Sequence, residues 1–195
     1  MRKEILVTGG AGYIGSHTCI ALWEAGYLPV VVDNLSNSSL AMIEGIEKII
    51  GHPLPFHQTN CCEISSLRNI FKEHSFQGII HFAAFKSVAE SVDFPEKYHA
   101  NNMGSLENIM TLMEEFQIIN LVFSSSCTVY GEPKSNPVDE QTPWQDAASP
   151  YGHTKQLGEL LIQDICKSKG MSAAILRYFN PIGAHPSGFI GELPL

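Results

Sequence analysis

The 195-residue chain predicts an α/β fold with a doubly wound parallel sheet, and three observations carry that expectation. Short apolar runs alternate along the chain with segments whose apolar residues recur every three or four positions. Several runs are apolar at successive positions, as strands covered on both faces require. Three glycines, Gly9, Gly12 and Gly15, stand between the first run and the first helical segment in "LVTGGAGYIGSH". A turn so poor in side chains lets the backbone come close to something, and a phosphate above a helix N-terminus is one candidate.

Taken in order, strands are expected at 4–8, 29–33, 55–58, 78–84, 120–126 and 172–179. Helices fill the intervals. The clearest place Leu106, Ile109, Met110, Met113 and Phe116, then Leu157, Leu160, Leu161 and Ile165, at helical spacing. The segment 131–150 breaks the rhythm with four prolines and reads as a long loop between the fifth strand and the next helix.

Composition limits what such a fold can do. A hydrophobic content of 44% supports a real core, and a net charge of −8 repels nucleic acids and anionic membranes at long range. An anionic ligand must therefore be held locally, by amides. The start "MRKEILVTGG" lacks the apolar stretch of a signal peptide, and no run approaches the ~18 residues of a membrane span, so a cytoplasmic location is expected. Five cysteines without a C-x-x-C pair fit neither a disulfide framework nor a zinc site, and eight scattered histidines show no ligand-like spacing. No metal is expected.

The glycines gain meaning from Asp33, which ends the second strand eighteen residues beyond Gly15. A carboxylate there can accept from both adenosine ribose hydroxyls while repelling a 2′-phosphate. The combination reads as a Rossmann-type dinucleotide site that favours NAD over NADP, with the "NLSNS" loop able to tune that choice. The alternative for Asp33 is a solvated turn acid.

A second constellation follows the fifth strand. Tyr151 and Lys155 in "SPYGHTK" stand four residues apart and so share one face of a helix. Making a tyrosine half ionised at pH 7 requires about 3 pKa units, roughly 4 kcal/mol. An ammonium ~4 Å away contributes about that much at an effective dielectric near 20. Upstream, the cluster "SSSCTVYG" offers Ser126 or Thr128 to hydrogen-bond a substrate oxygen.

The blocks "TGGAGYIGSH", "DNLSNS", "FAAFKSVAES", "SSSCTVYGEP", "YGHTK" and "RYFNPIGAHPSG" together resemble the extended short-chain dehydrogenase/reductase family, in its sugar-nucleotide epimerase branch. The resemblance runs the whole length of the chain. It implies an NAD-dependent isomerase that exchanges UDP-galactose and UDP-glucose through a 4-keto sugar. By the same resemblance, Tyr13 and Ile14 supply amides to the pyrophosphate beside Gly9, Gly12 and Gly15. The run Asp33, Asn34, Leu35, Ser36, Asn37 and Ser38 surrounds the ribose. Phe82, Ala83, Ala84, Phe85, Lys86 and Asn101 line the cofactor, Lys86 also reaching the substrate. Tyr151 acts as the base, Lys155 lowers its pKa and holds the nicotinamide ribose, and Ser126 contacts the sugar. Phe179 meets the nicotinamide end and Asn180 the sugar nucleotide.

Two departures stand out. Asn60 and Cys61 occupy the place beside the adenine where such enzymes carry Asp-Ile, which implies a weaker, uncharged contact. The family also runs on for well over a hundred residues past "PSGFIGELPL", so the expected division is an NAD-binding domain at 1–180 and the start of a truncated substrate domain at 181–195. The alternatives are a non-catalytic NAD-binding fragment and a 4,6-dehydratase. The dehydratase pattern has an Asp-Glu pair where this chain has Cys127-Thr128. The family pairs its long helices between subunits, so a homodimer through 98–116 and 153–169 is expected, unless both apolar stripes are used inside the core.

Overall fold

The computed structural model describes residues 2–192, so residues 193–195 of the second expected domain lie outside the described residues. Six strands form one parallel sheet in the order β3-β2-β1-β4-β5-β6. They are β1 (Lys3–Thr8), β2 (Tyr27–Asp33), β3 (Phe56–Gln58), β4 (Phe76–His81), β5 (Asn120–Ser126) and β6 (Ser172–Tyr178). Between them run α1 (Tyr13–Glu24), α2 (Leu40–Ile50), α3 (Ile64–Glu73), α4 (Val88–Asp93), α5 (Pro95–Glu115) and α6 (Pro150–Lys169).

The strand side chains alternate between two cores. Leu6, Val30 and Val32 point into one with Leu106, Ile109 and Met113, while Val7 and Val31 point into the other with Ile20, Met42 and Ile46. Both faces of the central strands are therefore dry, which explains their unbroken apolar runs. The chain order turns back beside β1, which passes to β2 on one side and has β4 on the other. That reversal opens a crevice at the carboxyl ends of β1 and β4.

One strand boundary needs correction, and one apolar stripe finds its place. The strand expected at 78–84 spans Phe76–His81 instead, because Phe82, Ala83 and Ala84 leave the sheet to wall the crevice. The α5 stripe of Leu106, Ile109, Met110 and Met113 is buried in the core, and Phe116 caps the helix rather than continuing it. Only the α6 side exposes a stripe residue, with Leu160 49% accessible. The apolar periodicity of α5 is thus spent on folding.

Beyond β6 the chain turns back across the sheet. Ile190 is buried against the α1–α2 core, and Gly183 accepts a hydrogen bond from the Tyr13 hydroxyl at 2.6 Å.

Candidate active site

The glycine turn makes room in two different ways. Gly9 has φ +69°, and a Cβ there would lie 2.7 Å from the Ala83 nitrogen, so the turn presses directly on the exit of β4. A Cβ on Gly15 would run into the Gly9 carbonyl, which brings α1 against the turn. Gly12 is the N-cap of α1 and has no side chain to fill the space above it, leaving the first-turn amides of Tyr13 and Ile14 without carbonyl partners.

Asp33, 8% accessible, ties this turn to β2. One carboxylate oxygen accepts from the Ala11 amide at 3.1 Å, and the other from the Leu35 amide and the Ser38 hydroxyl, both at 2.9 Å. The acid is therefore oriented before any ligand arrives, and a ribose hydroxyl would exchange with Ser38. Leu35 is the one expected cofactor residue absent from the crevice wall. Its φ of 59° turns the side chain into the α1–α2 core, and only its amide serves the site, by holding Asp33.

The crevice is a cavity of about 700 Å³ running from Asp33 to Tyr151. Gly9, Gly12, Tyr13, Ile14 and Gly15 form its floor, and Asn34, Ser36, Asn37 and Ser38 one end. Asn60, Cys61, Phe82, Ala83, Ala84, Phe85, Lys86 and Asn101 form the walls. Ser126, Tyr151, Lys155, Phe179 and Asn180 close the far end. Asn60 commits its side-chain oxygen to the Cys62 amide at 2.9 Å, and Cys61 is buried.

Residues not singled out from the sequence hold these walls. Asn102, next to Asn101, accepts from the Phe85 amide at 2.8 Å and donates to the Phe85 carbonyl and the Thr154 hydroxyl, both at 3.1 Å. One side chain thereby joins the 82–86 loop to α6. Gln156 donates to the carbonyls of Val129 and Gln145, both at 2.8 Å, and so anchors the proline-rich loop. Both amides stand beside residues named from the sequence, Asn101 and Lys155, but a neutral amide carries no spacing or charge signal that would mark its bracing role.

The catalytic-looking pair sits where β5 meets α6. Ser149 accepts from the Gly152 amide at 3.1 Å and Pro150 occupies the first turn, so the serine cap and proline start α6 just ahead of Tyr151. Lys155 is 4% accessible and donates to the Ser124 carbonyl at 2.7 Å, its nitrogen 5.8 Å from the centre of the Tyr151 ring. Burial pulls the lysine pKa down to about 8, with Glu159 acting the other way. The phenol of Tyr151 is raised, not lowered: burial dominates, the Ser126 hydroxyl acts against it, and Cys127 adds to it. In this arrangement the Lys155 ammonium does not lower the tyrosine. The ammonium is turned toward a strand carbonyl, where its charge does little for the phenol. Ser126 accepts from the Thr128 amide at 3.2 Å and the Thr128 hydroxyl at 3.0 Å, so both hydroxyls named from the sequence belong to one group.

The donor set fits a dinucleotide. Bare amides stand where a pyrophosphate would lie, an oriented acid waits at one end, and a hydroxyl, a phenol and an ammonium converge at the other. Away from the crevice, the fold also gathers His57, Glu73 and His74, a histidine-carboxylate group that linear spacing did not suggest.

Residues 5–193 match the model of the NAD dependent epimerase/dehydratase family. A UDP-glucose 4-epimerase of Dictyostelium discoideum is 50% identical over 98% of this chain, and UDP-glucose 4-epimerase 2 of Arabidopsis thaliana is 48% identical over all of it. The chain covers 56% and 57% of those proteins, and so spans little more than half their length. The crystal structure of UDP-glucose 4-epimerase from Bifidobacterium longum in complex with NAD+ and UDP superposes with a TM-score of 0.95 at 39% identity, over 97% of this chain and 57% of that one.

Proposed function

The chain belongs to the NAD dependent epimerase/dehydratase family, and on that premise we propose that it carries the NAD-binding and catalytic elements of a UDP-glucose 4-epimerase. Its substrate is then a UDP-sugar, interconverted between UDP-galactose and UDP-glucose. The observation that carries the reading is the opposition of Asp33 and the glycine turn to Ser126, Tyr151 and Lys155 across one continuous cavity. A cofactor seated on the turn reaches the residues that would act on the sugar.

Held by the glycine turn and Asp33, NAD would supply a reversible hydride acceptor for the sugar. The protein's part is proton handling and position. Tyr151 takes the proton of the 4′-hydroxyl at its phenol oxygen and later gives it back. Ser126 holds the same substrate oxygen. Lys155, with a pKa about 8, is protonated at neutral pH and supplies the positive charge that a buried phenol needs to ionise, once it turns from the Ser124 carbonyl. Phe179, 59% exposed, and Asn180 face the sugar side of the cleft.

The same proposal assigns 1–180 to the cofactor domain and 181–195 to the beginning of the substrate-binding part. Association as a homodimer through α5 and α6 is supported by exposed Leu160, not by the α5 stripe. A cytoplasmic setting is supported by five unpaired cysteines. Among the described residues, no helix is long and apolar enough to cross a membrane. A coupled assay for UDP-glucose formed from UDP-galactose, with light scattering for mass, tests these readings. Absence of NADH binding by the purified chain would overturn the first of them.

A further inference from the structure

Outside the crevice, three elements bring two histidines and two carboxylates together. His57 lies on β3, the three-residue strand at the sheet edge, and Glu73 and His74 end α3. The two imidazole Nε2 atoms face each other at 3.1 Å with the rings nearly perpendicular. One ligand atom of Glu73 lies with them inside 4.8 Å. Behind His74, its Nδ1 meets a Glu4 oxygen at 3.1 Å, and the other Glu4 oxygen accepts from the Ser75 amide at 2.8 Å. The Phe76 ring stacks on His74, 5.4 Å between centroids.

The carboxylate behind His74 decides its tautomer. Glu4 accepts a hydrogen bond from Nδ1–H, so Nε2 carries the lone pair of the His74 ring and faces His57. A histidine whose second nitrogen is held by a carboxylate is the usual arrangement behind a metal-bound imidazole. The spacing agrees. Two nitrogens 3.1 Å apart, each ~2.05 Å from a shared ion, subtend about 98°, between the octahedral and tetrahedral angles. Exposed Glu73 can swing in as a third ligand, and a site whose imidazoles are only partly buried can take a solvent molecule as a fourth.

We propose that His57, His74 and Glu73 form a binding site for a borderline transition-metal ion of the zinc class, with Glu4 fixing the His74 ring. Two imidazoles and one carboxylate favour Zn2+, Co2+, Ni2+ or Cu2+ over Mg2+ or Ca2+. On binding, the His57 Nε2 gives up its proton to solvent while its Nδ1 takes one up, so both rings stay neutral, and both tilt toward the ion. The ion then clamps the edge strand β3 to the end of α3. Because β3 leads directly to Thr59 and Asn60 in the crevice wall, the clamp stiffens that end of the site.

Titration of the purified, reduced chain with Co2+ tests this, since the visible spectrum separates nitrogen and oxygen ligands from thiolate. One equivalent should bind without a thiolate charge-transfer band, and Zn2+ should displace it. At a hundredfold excess over Kd, Zn2+ should raise the unfolding midpoint by roughly 5 °C or more, while Mg2+ should not. His57→Gln and His74→Gln should each weaken binding at least tenfold, and exposed Glu73→Gln should do so by a smaller factor with the fold intact by circular dichroism. No binding at millimolar Co2+, a thiolate band, or undiminished affinity in all three variants would show that the imidazoles share only a proton.

Discussion

Lys155 donates to the Ser124 carbonyl at 2.7 Å and leaves the Tyr151 ring centre 5.8 Å from its nitrogen. The fold thus stores the ammonium on a strand end inside the crevice, on the same helix face as the phenol. With its pKa near 8, Lys155 loses charge within an accessible pH range. NADH affinity, followed by fluorescence, should fall as pH rises from 7 to 9. Lys155→Met should weaken binding about tenfold or more at pH 7 and remove that dependence. Tyr151→Phe should bind within about threefold of the parent, because it removes one hydroxyl and little packing. Equal loss in both variants would place the lysine and tyrosine in one cofactor-binding role.

Asp33 should set the choice between NAD and NADP. A 2′-phosphate would meet a buried carboxylate already bound to Ala11, Leu35 and Ser38, and so could not be turned aside. NADH should bind at least tenfold more tightly than NADPH, about 1.4 kcal/mol. Asp33→Asn should narrow that ratio. It should also cost stability, because an amide can offer only one oxygen where two now accept. Calorimetry giving NADPH the higher affinity would reverse the assignment.

Gly9 and Gly51 provide a paired test of the turn. Both have positive φ, +69° and +68°, but a Cβ on Gly51 meets nothing within 4 Å whereas one on Gly9 meets the Ala83 and Phe82 backbone at 2.7 to 3.0 Å. Gly51→Ala should cost about 1 kcal/mol, the strain of a left-handed alanine alone. Gly9→Ala should cost about 3 kcal/mol or more, because backbone cannot yield as a side chain would. Urea midpoints of the two variants that coincide would mean the 82–83 backbone shifts freely.

The order of the elements was legible because period-two and period-3.6 patterns differ, and β5 falls on its expected residues, 120–126. The β4 end was not. Phe82, Ala83 and Ala84 are as apolar as a strand, and only the press of Gly9 against them shows that they are wall. The crevice residues were legible through the motifs, since all but Leu35 line it. What the motifs did not contain was direction. The Tyr151 shift depends on where the Lys155 ammonium rests, which spacing along a helix does not contain. Asn102 and the His57–His74 pair are meeting points of separate elements, visible only once the chain is folded.

His81 should make the protein sensitive to acid. It ends β4, is 2% accessible, exchanges a hydrogen bond with the Thr8 hydroxyl at 2.7 Å, and lies flat against Phe123. Burial, helped by the Lys155 cation, lowers its pKa from 6.5 to about 3. The unfolded chain therefore takes up a proton below about pH 6.5 that the native state refuses. Stability is fully present above that value and is lost as pH falls toward 3. The slope is about 1.4 kcal/mol per unit, which gives a loss of about 2 kcal/mol at pH 5. His57, whose pKa is also lowered by burial and by His74, adds to the same limb, so a difference between proteins must be read. His81→Asn keeps a polar partner for Thr8 while removing the titrating ring. It should be less stable than the parent at pH 7, yet lose about 2 kcal/mol less between pH 7 and pH 5 in urea unfolding. Parallel losses in the two proteins would mean that His81 takes its proton inside the fold.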